Sequence, residues 1–339
     1  MDQRYQKLCN WVAEALNIEK TELSVVSGDA SFRRYFRFND GERRYIAMDA
    51  PPEKEDSNSF VCIARSWREQ GLNVPELIKV DLSKGFLLLS DFGDALLLPF
   101  LKPDEPDIDS ANKFYGLAMQ ALLRIQCLKP AENYPFPLYN SALLQREMSL
   151  FPDWLLEKKL GLELNEADQL LLASTFRSLE ASALAQPQVL VHRDFHARNL
   201  MVLEEGLGII DFQDAVVGPI TYDLVSLLRD CYIVWPDEQV EAWCRDFYLL
   251  LGEERHKPAN FQQFKRDFDL MGMQRHLKAA GIFARLSLRD GKHGYLNDIP
   301  RTVQYIHRVA ALYPEFQAFT EFLEQRVLPE LAEEPGVSK

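Results

Sequence analysis

Val189-Leu190-Val191-His192-Arg193-Asp194-Phe195-His196-Ala197-Arg198-Asn199-Leu200-Met201 is the stretch whose reading decides the fold. The apolar run Val189-Leu190-Val191 reads as the end of a short buried strand. A polar loop follows, from His192 to Asn199. Apolar residues resume at Leu200-Met201-Val202-Leu203, and Glu204-Glu205-Gly206 makes a turn. Leu207-Gly208-Ile209-Ile210 then runs into Asp211. The pattern is a strand, a loop, a hairpin, and a carboxylate at the hairpin's end.

That spacing suits phosphoryl transfer from a magnesium nucleotide. The chemistry needs a carboxylate to take or orient the acceptor hydroxyl's proton, and oxygen ligands to hold the metal. Asp194 fits the first role; Asn199 and Asp211 fit the second. Asp194 and Asn199 stand five apart, the interval of the kinase catalytic loop H-R-D-x-x-x-x-N. Asp211-Phe212-Gln213 stands where kinases carry D-F-G. Either piece alone reads equally as a polar loop whose Asp and Asn cap local backbone. Both together, in this order and strand context, point to chemistry.

Further motifs extend the pattern: GDASFRRYFR from Gly28, MDAPP from Met48, GIIDFQDAVVGPITYDLVSLLRDCY from Gly208 and RHLKAAGIFARLSLRDGK from Arg275. With them the chain resembles, over nearly its whole length, the aminoglycoside-phosphotransferase and choline-kinase group of kinase-like small-molecule phosphotransferases. Within that group it is similar to bacterial amino-sugar kinases that act on the anomeric hydroxyl of N-acetylmuramate and N-acetylglucosamine. The resemblance implies a protein-kinase-like bilobal α+β fold. An N-lobe over residues 1–92 would hold a small antiparallel sheet, one packed helix and a hinge; a mainly helical C-lobe would span 93–339. It implies ATP and Mg2+ as cofactors, a small-molecule sugar acceptor, and a cytoplasmic role in cell-wall recycling.

Within the expected N-lobe, Gln3–Leu16 carries a helical stripe, and strands are expected at Leu23–Val26, Phe32–Phe38 and Arg44–Met48. The small-residue turn between the first two, with Ser27, Gly28 and Ser31, would lie over the nucleotide phosphates, and Arg33 follows it. Here the sequence departs from the kinase pattern. Met48 occupies the third-strand position where kinases place a lysine, and the following helix, from Asp56 or Ser57 to Gln70, has no acid until Glu69. Arg33, Arg34 and Arg65 are candidates to supply the missing cation; the alternative for each, and the first reading of any one taken singly, is solvated surface charge. Strands at Leu77–Val80 and Phe86–Leu89 complete five. Ser90-Asp91-Phe92-Gly93 then takes the hinge position, with Ser90 and Phe92 as nucleotide-binding candidates. Its D-F-G letters precede the catalytic loop, so Asp91 is assigned to hinge structure and not to metal.

A Pro- and Asp-rich linker, 102–109, precedes the second lobe, where helices are expected at 110–128, 142–160, 166–184, 238–251, 258–283 and 302–313. Gly218-Pro219-Ile220-Thr221-Tyr222-Asp223 reads as the opening of another helix. The resemblance implies that Asp223 bonds back to the catalytic loop. His192 is a general base by residue type or a brace of the loop backbone; the resemblance implies the brace, for His192 and for His196. Arg193 and Arg198 face substrate or solvent. The run Arg275, His276, Lys278, Arg285, Arg289 and Lys292 is cationic inside an acidic protein. Arg198, Arg275, Arg285 and Arg289 are therefore acceptor candidates, since a guanidinium fork matches a sugar-borne carboxylate.

Composition narrows the field. With 339 residues, 47% hydrophobic and 26% charged, the chain can bury a large core. A net charge of −13 argues against nucleic acid or an anionic membrane as partner. No signal-peptide pattern and no bilayer-length apolar run is present. Five scattered cysteines with no paired spacing read as reduced thiols rather than a zinc site. Two other functions fit the same residues: a phosphotransferase for another small alcohol, such as an aminoglycoside or choline-like amine, or a catalytically inactive kinase-like binding protein.

Overall fold

The structure, a computed structural model, describes residues 3–19, 21–28, 32–101, 107–131, 134–252 and 257–333. Ser31 lies outside the described residues, as do residues 102–106 of the expected linker, and Ser27 and Gly28 are described in backbone only. The chain divides into two compact units. One comprises Met1–Leu101, Gly116–Phe136 and Ala197–Ala215; the other comprises Lys102–Tyr115, Pro137–His196 and Val216–Lys339.

The first unit is built on five antiparallel strands: β1 (Ser24–Gly28), β2 (Arg34–Asn39), β3 (Arg44–Asp49), β4 (Leu77–Asp81) and β5 (Phe86–Ser90), in the order β1-β2-β3-β5-β4. All five expected strands are present. Successive side chains on a strand point to opposite faces, and Phe36, Tyr45, Ala47, Phe86 and Leu88 pack with Leu8, Trp11 and Val12 of helix α1 (Gln3–Leu16). Helix α2 (Asn58–Glu69) buries Phe60, Ile63, Ala64 and Trp67. The chain turns through α3 (Leu97–Phe100) into α4 (Ile108–Gln126), which is divided between the two units.

In the second unit, α5 (Ser141–Met148) is capped by Asn140, whose side chain accepts the Leu143 N–H. The single helix expected over 142–160 is instead two. After Met148 the chain widens into a π-helix, Phe151–Lys159, where Leu160 N–H reaches back five residues to Leu155 O at 2.9 Å. Helix α6 (Glu166–Ala185) starts from a capping box between Asn165 and Asp168. It leads into β6 (Gln188–Val191), the strand that precedes the loop 192–199.

The hairpin β7 (Leu200–Val202) and β8 (Leu207–Ile209) returns the chain to the first unit. Residues 216–219, read in part as a helix opening, form a strand, β9 (Val216–Pro219), antiparallel to β6; helix α7 starts only at Tyr222 and runs to Leu228. Helix α8 (Asp237–Leu250) is followed by α9 (Phe261–Asp290), longer than the expected 258–283. Asn260 caps its start, and Gly291, at φ +67°, ends it. Helices α10 (Ile299–Ala310), α11 (Gln317–Phe322) and α12 (Leu328–Glu333) complete the unit. No described helix is long and apolar enough to cross a membrane.

Candidate active site

The loop 192–199 leaves β6 with its backbone already committed. Asp223, in the first turn of α7 and fully buried, accepts the backbone N–H of His192 at 2.6 Å and of Arg193 at 3.0 Å. Two hydrogen bonds thus run from the loop backbone to the residue expected to bond back to it. Arg193 takes φ +78°, a left-handed conformation uncommon for a residue with a side chain, and the two bonds to Asp223 hold it there. His192, buried completely, accepts the Asp194 N–H at its Nδ1, 3.3 Å away. His196 donates its backbone N–H to Asp194 O at 3.1 Å and sets its ring edge-on to Tyr232. Both histidines thus make a hydrogen bond within the loop.

Burial alone would raise the carboxyl of Asp194. Lys278, His196, Arg275 and His192 outweigh it, and the net displacement is downward, so the group is ionised at neutral pH. Lys278 and Arg275 come from α9. Lys278 Nζ lies 3.1 Å from both Tyr222 Oη and Glu147 Oε1, and the Arg275 guanidinium lies 5.0 Å from the centre of the Tyr222 ring. Glu147, on α5 and 5% exposed, collects a network: Arg193 at 2.5 Å, Lys278, the Tyr139 hydroxyl, and Gln274 Nε2 at 3.3 Å. Burial would raise Glu147 too, and Lys278 and Arg193 reverse that into a net downward shift. At Asp223 burial dominates and pushes the carboxyl up to about 6, against the lowering effects of His192, Arg275 and the two backbone N–H groups.

In the first unit, the β7–β8 hairpin pairs Leu200 with Ile209, and Ile210 N–H donates to Asn199 O at 3.1 Å. That pairing sets Asn199 beside Asp211. Asn199 Nδ2 donates to Asp211 Oδ2 at 3.2 Å, and Gln213 Nε2 to Asp211 Oδ1 at 2.7 Å. Asp211 itself sits at φ +65°. Phe212 turns inward, fully buried, and stacks on Phe60 and packs on Trp67 of α2, with ring centres 4.9 and 5.5 Å apart. The buried ring anchors the segment from which Asp211 projects. A carboxylate and a side-chain amide carbonyl are hard oxygen donors. Magnesium is commonly held by one or two such protein groups, with substrate phosphates and water completing its shell.

The remaining nucleotide candidates are also in this unit. Ser27 and Gly28 pair across the β1–β2 hairpin with Tyr35 and Arg34. Ser90 Oγ accepts the Glu76 N–H at 2.8 Å. Phe92 lies on Gly208: a Cβ there would come within 2.6 Å of its ring, so only glycine admits the contact. Asp91 is held by Arg37, whose Nε and Nη2 reach its two oxygens at 2.6 and 3.1 Å, as suits a hinge brace. Of the acceptor candidates, Arg275 shares Tyr222 with Lys278. Arg285 and Arg289 lie about 15 and 21 Å further along α9 at 1.5 Å per residue, and Arg289 is exposed and bonded to Asp290. Arg198 is exposed. Sequence reasoning passed over Glu147 altogether. A single glutamate in an amphipathic helix carries no signal of burial.

A bilobal kinase-like phosphotransferase fold is what these elements define. Among solved structures the chain is similar to an ethanolamine kinase from Plasmodium vivax (TM-score 0.62, 14% identity, covering 93% of this chain and 89% of that one). It is also similar to the choline kinase LicA from Streptococcus pneumoniae (TM-score 0.61, 13% identity, 92% and 100%). The ADP-bound aminoglycoside phosphotransferase APH(2'')-Ib aligns likewise (TM-score 0.61, 16% identity, 90% and 98%). Residues 22–259 match the phosphotransferase enzyme family, and the chain belongs to it. Curated relatives cover it almost end to end. A Pseudomonas putida protein is 41% identical over 95% of this chain and 96% of its own length. A Neisseria meningitidis protein is 40% identical over 92% and 93%. Both are named N-acetylmuramate/N-acetylglucosamine kinase.

Proposed function

We propose that this protein transfers the γ-phosphoryl group of ATP to the anomeric hydroxyl of N-acetylmuramate or N-acetylglucosamine in the cytoplasm, as a step of cell-wall recycling. The observation that carries the reading is the roughly 40% identity, over nearly the full length of both chains, to relatives bearing that name. In the transfer, the anomeric oxygen forms a bond to the γ-phosphorus, the bond to the β–γ bridging oxygen breaks, and ADP leaves. Asp194, held ionised by neighbouring cations, orients the acceptor hydroxyl and receives its proton as the new bond forms. Asn199 and Asp211 would hold Mg2+, which when bound neutralises charge on the transferring group. His192, His196 and Asp223 fix the backbone from which Asp194 projects. Arg275 is the acceptor candidate that the site favours, because it shares Tyr222 with a residue that acts on Asp194.

The test is a panel. The pure protein is incubated with magnesium-ATP and N-acetylmuramate, N-acetylglucosamine, aminoglycosides or choline, and ADP release is followed. ADP release with the N-acetylated sugars alone is the expected result. A response to aminoglycosides or choline would transfer the reading to another small alcohol, and silence across the panel would leave a catalytically inactive binding protein.

A further inference from the structure

Strand β3 carries no cation at the position where kinases place their lysine. Met48 stands there and is completely buried. The register shows what surrounds it. Tyr35 pairs with Met48 and Arg34 with Asp49, so Arg34 and Asp49 point to one face and Tyr35 and Met48 to the other. On the first face, buried Asp49 takes Arg34 at 2.5 Å and Arg4 of α1 at 2.6 Å. Arg34 is therefore occupied on the side that packs against α1. Arg65 is exposed on α2.

Arg33 is different. It immediately precedes β2, and continuing the strand's alternation by one residue would carry it to the face of Met48. Arg33 is only 8% exposed, and its Nη2 lies 3.4 Å from Glu55 Oε2. The other oxygen of Glu55 accepts the Phe32 N–H at 3.0 Å, directly where the chain leaves the hairpin loop. Glu55 is delivered by a turn, not a helix: the N–H groups of Lys54 and Glu55 both reach Pro51 O at 2.9 Å. The acid sought within α2 therefore stands three residues before the helix begins.

We infer that the Arg33–Glu55 ion pair does the work of the absent lysine–glutamate pair: Glu55 positions Arg33, and Arg33 meets the phosphates of the nucleoside triphosphate. A guanidinium held beside the entry to β2, next to the strand that carries the vacated lysine position, can meet phosphate oxygens with two parallel donors. The inference rests on the proposed kinase function, and it deepens it by assigning the phosphate contact.

Calorimetric titration of the full chain with magnesium-ATP and with adenosine tests it, without turnover. Arg33→Met is expected to weaken ATP at least tenfold and to leave adenosine within twofold. Arg33→Lys should recover part of the loss, Glu55→Gln should weaken ATP severalfold, and Arg65→Met should change nothing. Unchanged ATP affinity in Arg33→Met, or equal losses for ATP and adenosine, would overturn the inference. Should Arg33→Met fail to fold, Arg33→Lys and Glu55→Gln are judged by the same criterion: a loss confined to the phosphorylated ligand. A wild-type protein that neither binds ATP nor phosphorylates an amino sugar would sink the proposed function instead. A competent wild type with unaffected variants would sink the ion-pair assignment alone.

Discussion

Asp223 Oδ2 accepts the backbone N–H of His192 at 2.6 Å, across 31 residues of sequence, and thereby ties the start of α7 to the loop that presents Asp194. The bond is strongest while Asp223 is ionised, and burial raises that carboxyl to about 6. Below that pH it gains a proton and stops being a charged acceptor for two N–H groups. Turnover should therefore fall as pH drops through about 6, and Asp223→Asn should flatten that limb while lowering turnover at pH 8 by about 100-fold, the scale of a displaced catalytic group. The sign for stability is opposite. The folded chain keeps on Asp223 a proton that an unfolded chain releases near pH 4, so this group's contribution to stability falls between about 4 and 6 as pH rises. A pH–rate profile of both proteins decides the first point. Thermal melts of both across pH 4 to 7 decide the second.

Asp194→Asn should lower kcat by about 10²–10⁴-fold, the range of lost general-base assistance. ATP affinity should hardly move, since no nucleotide contact is assigned to Asp194. Steady-state kinetics paired with nucleotide titration separates the two, and full turnover in the variant would remove Asp194 from the mechanism.

Asp211, the proposed metal ligand, has a left-handed backbone at φ +65°. Asp211→Ala and Asp211→Gly should both raise the magnesium concentration needed for half-maximal rate, or abolish activity. They should differ in stability. Glycine tolerates this φ without strain, so Asp211→Gly should unfold about 1 kcal/mol later than Asp211→Ala. Denaturant melts and a magnesium titration read the two effects independently.

Lys278 serves two carboxylates. It contacts Glu147 at 3.1 Å and is foremost among the cations that hold Asp194 ionised. Lys278→Met should move the acid limb of kcat/KM set by Asp194 to higher pH, because a cation that favours its charged form is gone. Stability should drop by about 3–5 kcal/mol, the cost of unpairing a buried charge, less what Arg193 retains through its own bond to Glu147. The double variant Lys278→Met/Glu147→Gln should regain part of that stability without restoring the pH profile.

Much of this was readable in the sequence because it is local. Asp194, Asn199 and Asp211 fall within 18 consecutive residues, and the strands of the first unit announce themselves by alternation around turns such as Asn39-Asp40-Gly41. What escaped depends on distant partners. Strand β9 is four residues long, contains Gly218 and Pro219, and is a strand because β6 pairs with it. Glu147 gains its role from Arg193 and Lys278, 46 and 131 positions away. Glu55 was overlooked because the missing acid was sought on the helix, whereas a proline-led turn supplies it. Helix α9 runs past its expected end at 283 to Asp290, where Gly291 takes the left-handed turn that stops it.

Met48 has one practical consequence. Covalent probes that seek out kinases commonly acylate or sulfonylate the primary amine beside the bound nucleotide. Strand β3 offers such reagents a buried thioether in its place, and a thioether does not form a stable adduct with them. Amine-directed profiling should pass over this protein, and compounds made to discriminate it from lysine-bearing kinases have a chemical difference to exploit at that single position.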